Sequence, residues 1–208
     1  MTLHLSRKLH LSRSTYAIRE RGELQGVGRN TLGLLFQRLR LMRGGEALYE
    51  LRQTNWLLQL LAVIPLLGLA VFVPFQLFFK GQKIGRSRRL SASAGYEIAF
   101  GDDRYEIHLH NGSRCSVVKN GAQIGRITKN EEVWSEENEY EILLPDEADA
   151  EEEHRVVLLC MFIDTTFFAN HGQWAAHRKE KSIVLYDAFP ERAEWTPDEI
   201  GGQHEHME

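Results

Sequence analysis

The side chains best suited to chemistry are two histidines and two cysteines. His108 and His110 are two residues apart in a strand-like alternating run, so both imidazoles lie on one face, a spacing that can chelate a metal ion. No third ligand is nearby in the sequence, and we expect exposed strand histidines and no metal site. Cys115 and Cys160 are too few for a disulfide framework or a zinc site. Cys160 lies in an apolar run and is expected to be a small core residue.

Sequence motifs that mark enzymes are missing from this chain. It contains no G-x-S-x-G, no H-E-x-x-H and no phosphate-binding loop signature. Gly26 and Gly28 lack the third glycine and the strand-to-helix context of a dinucleotide site. Ser, His and Asp are all present, but no spacing marks a catalytic triad, and triads are recognised by geometry. We therefore predict a non-enzymatic protein without a cofactor.

Asp164 is the one acidic residue in the apolar run 155–168. A buried carboxylate needs a hydrogen-bonded or charged partner. We interpret Asp164 as a helix-end residue that reaches a backbone amide or an arginine, with a functional role as the alternative. The run is too short for an ordinary membrane span, which needs about 20 residues, and is expected to be a buried helix. The acidic stretch 146–154 before it is either a solvated loop or the N-terminus of that helix, where acids suit the helix dipole.

Residues 56–79 form an uncharged stretch of 24 residues that is long enough to enter a membrane. The polar residues in it are two glutamines. An aromatic residue at either end, followed by Lys80, is typical of interfacial anchors. Two prolines and a glycine inside it are tolerated in membrane helices and can also kink them. We predict a membrane-embedded helical segment, with an unusually apolar core helix as the alternative. Its predicted anchor residues are Trp56, Pro65, Gly68, Pro74 and Phe79.

Charge is distributed unevenly around this segment. Residues 1–52 carry a net charge of +6, residues 80–130 carry +6 and residues 131–208 carry -16. Basic residues lie on both sides of the segment, so the positive-inside rule does not set its orientation. The two alternatives for its topology are a single span and a re-entrant hairpin bent near residues 65–68. Basic blocks beside an apolar segment indicate contact with anionic lipid headgroups, with ordinary surface charge as the alternative. The predicted headgroup contacts are Lys80, Lys83, Arg86, Arg88 and Arg89.

Short alternating runs separated by glycine turns fill most of the remaining sequence. Turn signals occur at Gly101-Asp102, Asn111-Gly112 and Asn120-Gly121. The pattern predicts a mainly β (β+α) protein: an antiparallel meander or closed barrel around a C-terminal apolar helix, with the membrane segment inserted. Its predicted parts are N-terminal strands in 1–55, the apolar segment 56–79, a β domain in 80–189 and a disordered tail in 190–208.

Three phrases carry a resemblance to a known family. They are KNGAQIGRITKN at 119–130, YEILL at 140–144 and CMFIDTTFF at 160–168. In this order the chain resembles the tubby-like superfamily, which includes tubby C-terminal domains, phospholipid scramblases and plant LURP-one-related proteins. The resemblance is greater over 94–168 than over 10–55. It implies a closed antiparallel barrel threaded by one apolar helix at 155–168, and binding of anionic phospholipid.

A shared barrel also constrains the membrane segment. If 10–55 and 90–168 build one barrel, both lie on the same side of the bilayer, so either the segment is a re-entrant hairpin or the two halves fold apart. Basic residues at both ends of the segment favour the same-side arrangement. No signal peptide is recognisable at the N-terminus, so we expect the β domain on the cytoplasmic side of a membrane. The expected partner is anionic phospholipid, and no nucleic acid. The alternative is a membrane-tethered protein-interaction scaffold that uses the acidic region 131–154 to bind a protein partner.

Overall fold

Twelve antiparallel strands form one closed barrel in the computed structural model. The structure describes residues 1–10, 13–32, 37–53, 74–90, 95–110, 114–129 and 137–168. Each strand pairs with the strand before it, and β1 pairs with β12 to close the ring. The strands are β1 (Thr2–His10), β2 (Arg13–Glu20), β3 (Glu23–Leu32), β4 (Gln37–Arg43), β5 (Glu46–Gln53), β6 (Phe75–Phe79), β7 (Gln82–Arg89), β8 (Gly95–Phe100), β9 (Asp103–His110), β10 (Arg114–Lys119), β11 (Ala122–Lys129) and β12 (Glu137–Leu143).

Strict alternation of apolar and polar residues sets which side chains face the bore. In β4, Leu39 and Leu41 are buried, and Arg38 between the inward positions is exposed. Successive side chains of a strand point to opposite faces, so the leucines line the bore and the arginines lie on the outer wall. The predicted turn at Asn120-Gly121 is confirmed. Both residues have positive φ, 50° and 90°, as a type I′ hairpin turn requires.

The two ends of the barrel differ in their connections. Tight turns join the strands at one end, for example at Gly44-Gly45 and Gly101-Asp102, and we call this the turn end. The other end, which we call the loop end, carries the connections β1–β2, β3–β4, β5–β6, β7–β8, β9–β10 and β11–β12. Every internal residue outside the described ranges belongs to one of these six connections.

Among the described residues one α-helix, α1 (Ala150–Ile163), follows β12 and runs through the bore toward the loop end. Asp149 caps its N-terminus by accepting a hydrogen bond from the Glu152 amide, and three glutamates occupy the first turn, so the acidic stretch does begin a helix. The predicted helix 155–168 therefore starts five residues earlier. Its α-helical part ends at Ile163 and continues as a π-helical turn, Asp164–Phe168.

Apolar side chains on all sides of α1 fill the barrel. Every residue from Val156 to Ile163 is at most 2% exposed. A helix that is apolar all round is stable only when it is enclosed. Phe162 packs edge-on against Phe75 of β6 and Tyr96 of β8, with ring centroids 5.3 and 5.4 Å apart. On the other side, the Met161 thioether lies against Gly28 of β3, where a Cβ atom would come within 2.6 Å.

The far end of the predicted membrane segment is a barrel strand. Phe75–Phe79 forms β6, with Phe75 and Leu77 buried in the bore. Phe79, a predicted interfacial anchor, packs against Tyr49 with ring centroids 5.0 Å apart. Residues 75–79 are apolar enough to extend the run before them, so the sequence alone does not separate this strand from that run. Pro74 immediately precedes the strand. The anchors predicted at positions 56, 65 and 68 lie outside the described residues, as does the tail predicted at 190–208.

Strand pairing brings the two ends of this segment together. Gln53, the last residue of β5, is the cross-strand partner of Phe75, the first residue of β6. Residues 54–74 therefore connect two neighbouring positions at the loop end of the barrel. Among the residues that the structure describes, no helix is both long and apolar enough to cross a membrane.

Because Gln53 and Phe75 are already neighbours, the segment between them is expected to be dispensable for folding. Replacing residues 54–74 with Gly-Asn-Gly-Ser, a hairpin-length connection, gives a short-loop variant that we expect to keep the barrel. Deleting residues 56–79 removes β6 and leaves two unpaired strand edges, so that variant is expected to misfold. Circular dichroism and limited proteolysis distinguish the two. Loss of the barrel in the short-loop variant would contradict the observed pairing.

Candidate anion-binding face and buried aspartate

The outer wall of β3 to β7 carries a concentration of basic side chains. Cross-strand pairing places the side chains of this wall in two rows. In one row Arg38, Arg52, Gln76 and Arg86 are successive neighbours, and in the other Arg29, Arg40, Glu50, Phe78 and Lys83 are. Adjacent strands are about 4.8 Å apart, so the rows extend about 20 Å across the wall. We call this surface the arginine face. Its charged members are Arg29, Arg38, Arg40, Arg52, Lys83 and Arg86, with Glu50 as the one acid.

Like charges meet directly on the arginine face. Arg29 pairs with Arg40, and Arg38 pairs with Arg52. Like charges at directly opposite positions of a sheet are destabilising. Glu50 offsets part of this repulsion: it accepts two hydrogen bonds from Arg52, at 3.2 and 3.1 Å. The Arg52 guanidinium also lies 4.7 Å from the centre of the Phe78 ring. Six cations against one carboxylate leave a strongly positive surface.

Charge on the rest of the described outer wall is mixed. Glu97 on β8 forms an ion pair of 2.6 Å with Arg88 of the adjacent strand. Glu139 and Glu141 are exposed on β12, where their cross-strand partners on β1 are Ser6 and His4. The net positive charge of the barrel wall is therefore concentrated on β3 to β7. The sequence could not indicate this, because residues such as Arg29 and Arg86 come onto one surface only through the register of five strands.

The five predicted headgroup contacts do not all lie on one surface. Lys83 and Arg86 belong to the arginine face, and Lys80 lies in the adjoining turn between β6 and β7. Arg88 is matched by its ion pair with Glu97. Arg89 is the cross-strand partner of Tyr96 near the loop end and is exposed there, on the opposite side of β7 from Arg88. The structure adds four arginines from β3, β4 and β5 that the predicted set did not contain.

Asp164 is buried inside the loop end of the barrel. Its carboxylate, with no exposed surface, accepts hydrogen bonds from Arg7 Nη1 at 2.8 Å, from the Tyr16 hydroxyl at 2.7 Å and from the Tyr140 hydroxyl. Its own amide donates to the carbonyls of Cys160 and Met161. An arginine partner was one of the two predicted alternatives, and a backbone amide was the other. The cluster ties the end of the helix to β1, β2 and β12.

The position of Asp164 makes these partners necessary. A carboxylate at the C-terminal end of a helix meets the negative end of the helix dipole, and burial removes its water. Burial lowers the pKa of the Arg7 guanidinium, but Asp164 outweighs that effect and raises it. Burial, followed by the Asp164 charge, raises the pKa of the Tyr16 and Tyr140 hydroxyls. The arrangement is an anion held by three donors, and it supplies no free nucleophile or base.

The remaining chemical candidates are occupied or inert. Cys115 and Cys160 have no exposed surface, and burial raises the pKa of both thiols, so neither is poised to react. His108 Nε2 lies 3.0 Å from Glu106 Oε2, and His110 Nε2 lies 2.8 Å from Ser116 Oγ. His108 is 8% exposed, less than the predicted exposed histidine. Within the described ranges, no three His, Cys, Asp or Glu side chains converge to hold a metal ion.

Acidic residues between 137 and 154 do not form one surface. Glu139 and Glu141 lie on the wall of β12, and the acids of α1 lie at the turn end. Two of the helix acids are paired: Glu152 with Lys119 at 2.8 Å, and Glu151 with Arg155. The part of the predicted acidic contact at 131–136 lies outside the described residues.

The molecule so described is a helix-filled β-barrel with one strongly basic outer face. No family model matches the chain, and no curated protein or solved structure matches it either.

Removing the charge of Asp164 is expected to destabilise the barrel. Asp164→Asn leaves the Arg7 guanidinium, only 12% exposed, without its counter-ion, and breaking a buried ion pair costs about 3 kcal/mol or more. The matched control is Asp146→Asn. That carboxylate pairs with the N-terminal ammonium but is 85% exposed, so we expect a much smaller loss than for Asp164→Asn. Urea unfolding measures both, and equal losses would contradict the role assigned to Asp164.

Alkaline pH is expected to destabilise the protein through its buried tyrosines. The pKa of Tyr16 and Tyr140 is raised in the fold, whereas unfolded tyrosine titrates near pH 10. Their stabilising contribution is complete below about pH 10. Above it, unfolded tyrosines release protons that the folded ones keep, so stability falls by about 1.4 kcal/mol per pH unit for each tyrosine. Tyr140→Phe should make the fall of the unfolding free energy with pH shallower by about 1.4 kcal/mol per pH unit, the contribution of one tyrosine. An unchanged slope would refute the assignment.

Proposed function

We propose that this chain is a membrane-attached, tubby-like β-barrel without enzymatic activity that binds anionic phospholipid through its arginine face. The observation that carries the proposal is the position of that face. It is centred on β5 and β6, the two strands that the apolar segment joins. The arginine face therefore includes the two strands between which the most apolar stretch of the sequence is inserted.

The paired ends of the apolar segment support a re-entrant hairpin over a single span. Residues 54–74 start and finish at neighbouring positions of the loop end, so each arm has about 10 residues. In helical form such an arm reaches about 15 Å, half of the roughly 30 Å hydrocarbon core of a bilayer. The hairpin enters one leaflet, and the barrel remains on one side, which we assign as the cytoplasmic side.

Charge attraction at the arginine face follows from its composition. A lysine or arginine near an anionic membrane surface contributes about 1 kcal/mol of binding free energy. Guanidinium groups also donate paired hydrogen bonds to phosphate oxygens, which favours arginine over lysine at such a surface. Assignment to the tubby-like superfamily is part of the proposal. A closed antiparallel barrel threaded by a C-terminal helix supports it, together with the phrases at 119–130, 140–144 and 160–168.

The test removes three cations of the face that form no ion pair with Glu50. Arg29→Gln, Lys83→Gln and Arg86→Gln are combined in one full-length chain, made by cell-free synthesis. Binding is measured by flotation with phosphatidylcholine vesicles and with vesicles that also contain phosphatidylserine. Losing three charges should weaken the preference for anionic vesicles by about 3 kcal/mol, or about 100-fold. Binding to neutral vesicles should not change, because it depends on the apolar segment.

The matched control removes three exposed or half-exposed cations from other walls, at Arg19, Arg104 and Arg126, again as glutamine. It has the same net charge as the test variant, so its preference for anionic vesicles should remain near that of the unmodified chain. Equal weakening in both variants would reject a specific face. The short-loop variant should lose binding to neutral vesicles but keep some preference for anionic ones. Absence of any preference for anionic vesicles in the unmodified chain would reject the proposed function.

A further inference from the structure

The single acid of the arginine face lies at its centre. Glu50 is on the outer side of β5, between Arg40 of β4 and Phe78 of β6 in the same row. Its side chain is only 12% exposed because the guanidinium groups of three arginines close over it. Burial alone raises the pKa of the Glu50 carboxyl, but hydrogen bonds and charge from the arginines outweigh burial and hold that pKa below its usual range. The group is a carboxylate at neutral pH.

The three arginines around Glu50 are not equivalent. Arg52 makes the two hydrogen bonds, one to each carboxylate oxygen. Arg38 Nε and Arg40 Nε both lie 3.6 Å from the same oxygen, Oε1, which is ion-pair distance but too long for a good hydrogen bond. Arg40 Nε is a buried donor without a hydrogen-bond acceptor among the described residues. The side chains of Arg38 and Arg40 are 44% and 40% exposed. They are held near the carboxylate by charge and still present donors to an incoming anion.

We infer that Glu50 is an internal competitor anion: it partly neutralises the arginine face in the free protein, and an arriving anionic group takes Arg38 and Arg40 from it. Arg52 keeps the carboxylate throughout. The inference rests on the proposed function for the identity of the anion, a phospholipid phosphate. The inference adds that the arginine face binds anions less tightly than its six cations would bind them without Glu50.

Two physical effects of Glu50 point in the same direction. Its charge subtracts from the attraction between the face and an anionic surface, by about 1 kcal/mol for one charge. Its oxygens also occupy positions around Arg38 and Arg40 that phosphate oxygens would take. The compensating benefit is in the free protein, where Glu50 relieves the repulsion between cross-strand arginines. Glu50→Gln is therefore expected to bind anionic membranes more tightly while folding less stably.

The experiment compares the full-length chain with Glu50→Gln in flotation assays on neutral and phosphatidylserine-containing vesicles. We expect about fivefold tighter binding to anionic vesicles, which corresponds to one charge, and no change on neutral ones. Glu141→Gln is the matched control, since it removes one exposed carboxylate from β12, away from the face. It should stay within about twofold of the unmodified chain, as expected for a charge about a Debye length or more from the bound surface. Equal or weaker binding by folded Glu50→Gln would overturn the inference.

A second variant tests the inference in case Glu50→Gln does not fold. Glu50→Gln combined with Arg52→Gln removes the hydrogen-bonded pair and leaves the net charge unchanged. If Glu50 competes with the ligand, this double variant binds anionic vesicles at least as tightly as the unmodified chain, despite having one arginine fewer. Weaker binding would mean that Arg52 and Glu50 together position the other arginines, contrary to the inference.

A soluble anion separates failure of this inference from failure of the proposed function. Pyrophosphate is added to the full-length chain in nonionic detergent, and the rise in melting temperature reports its binding. A larger rise for Glu50→Gln supports competition by Glu50 even if no vesicle preference exists, in which case only the lipid assignment fails. An equal or smaller rise for Glu50→Gln would overturn the inference, whatever the vesicles show.

Discussion

Filling the bore is the constraint on which the rest of this structure depends. A barrel of about eight strands is filled by its own inward side chains, whereas a wider one encloses space that something else must occupy. Here twelve strands enclose α1, and the eight residues from Val156 to Ile163 meet the inner wall on every side. The closure of β1 on β12, the apolar character of the helix and the small residue at Gly28 are all consequences of this one packing requirement.

The same requirement explains why a charged cluster is tolerated inside the loop end. The helix must end somewhere, and its last residues bring a carboxylate to the unfavourable end of the helix dipole. Arg7, Tyr16 and Tyr140 supply the donors that make this position acceptable. Their strands are consecutive around the barrel, since β1 lies between β2 and β12. The cluster therefore bridges the closure of the ring as well as the end of the helix.

Local patterns in the sequence predicted the turns, the alternation and the enclosed helix, because each depends on neighbouring residues. The Asn120-Gly121 turn and the apolar run 155–168 are examples. The β6 strand was not separated from the apolar segment, because Phe75–Phe79 is apolar enough to extend that run and its strand pairing is invisible locally. The arginine face could not be predicted, since it depends on the register of five strands. The partners of Asp164 are likewise 24 to 157 residues away in sequence.

The order of elements along the chain has a consequence for synthesis. All twelve strands precede α1, so a ribosome releases the wall of the barrel before the helix that fills it. A closed ring formed before residue 150 emerges would have an empty bore, and the pairing of β1 with β12 joins residues such as Leu5 and Tyr140 that are far apart in sequence. The filled barrel therefore cannot close before residues 150–163 have been synthesised. Until then the exposed edges of the sheet and its uncovered apolar face make the nascent chain a natural client for chaperones.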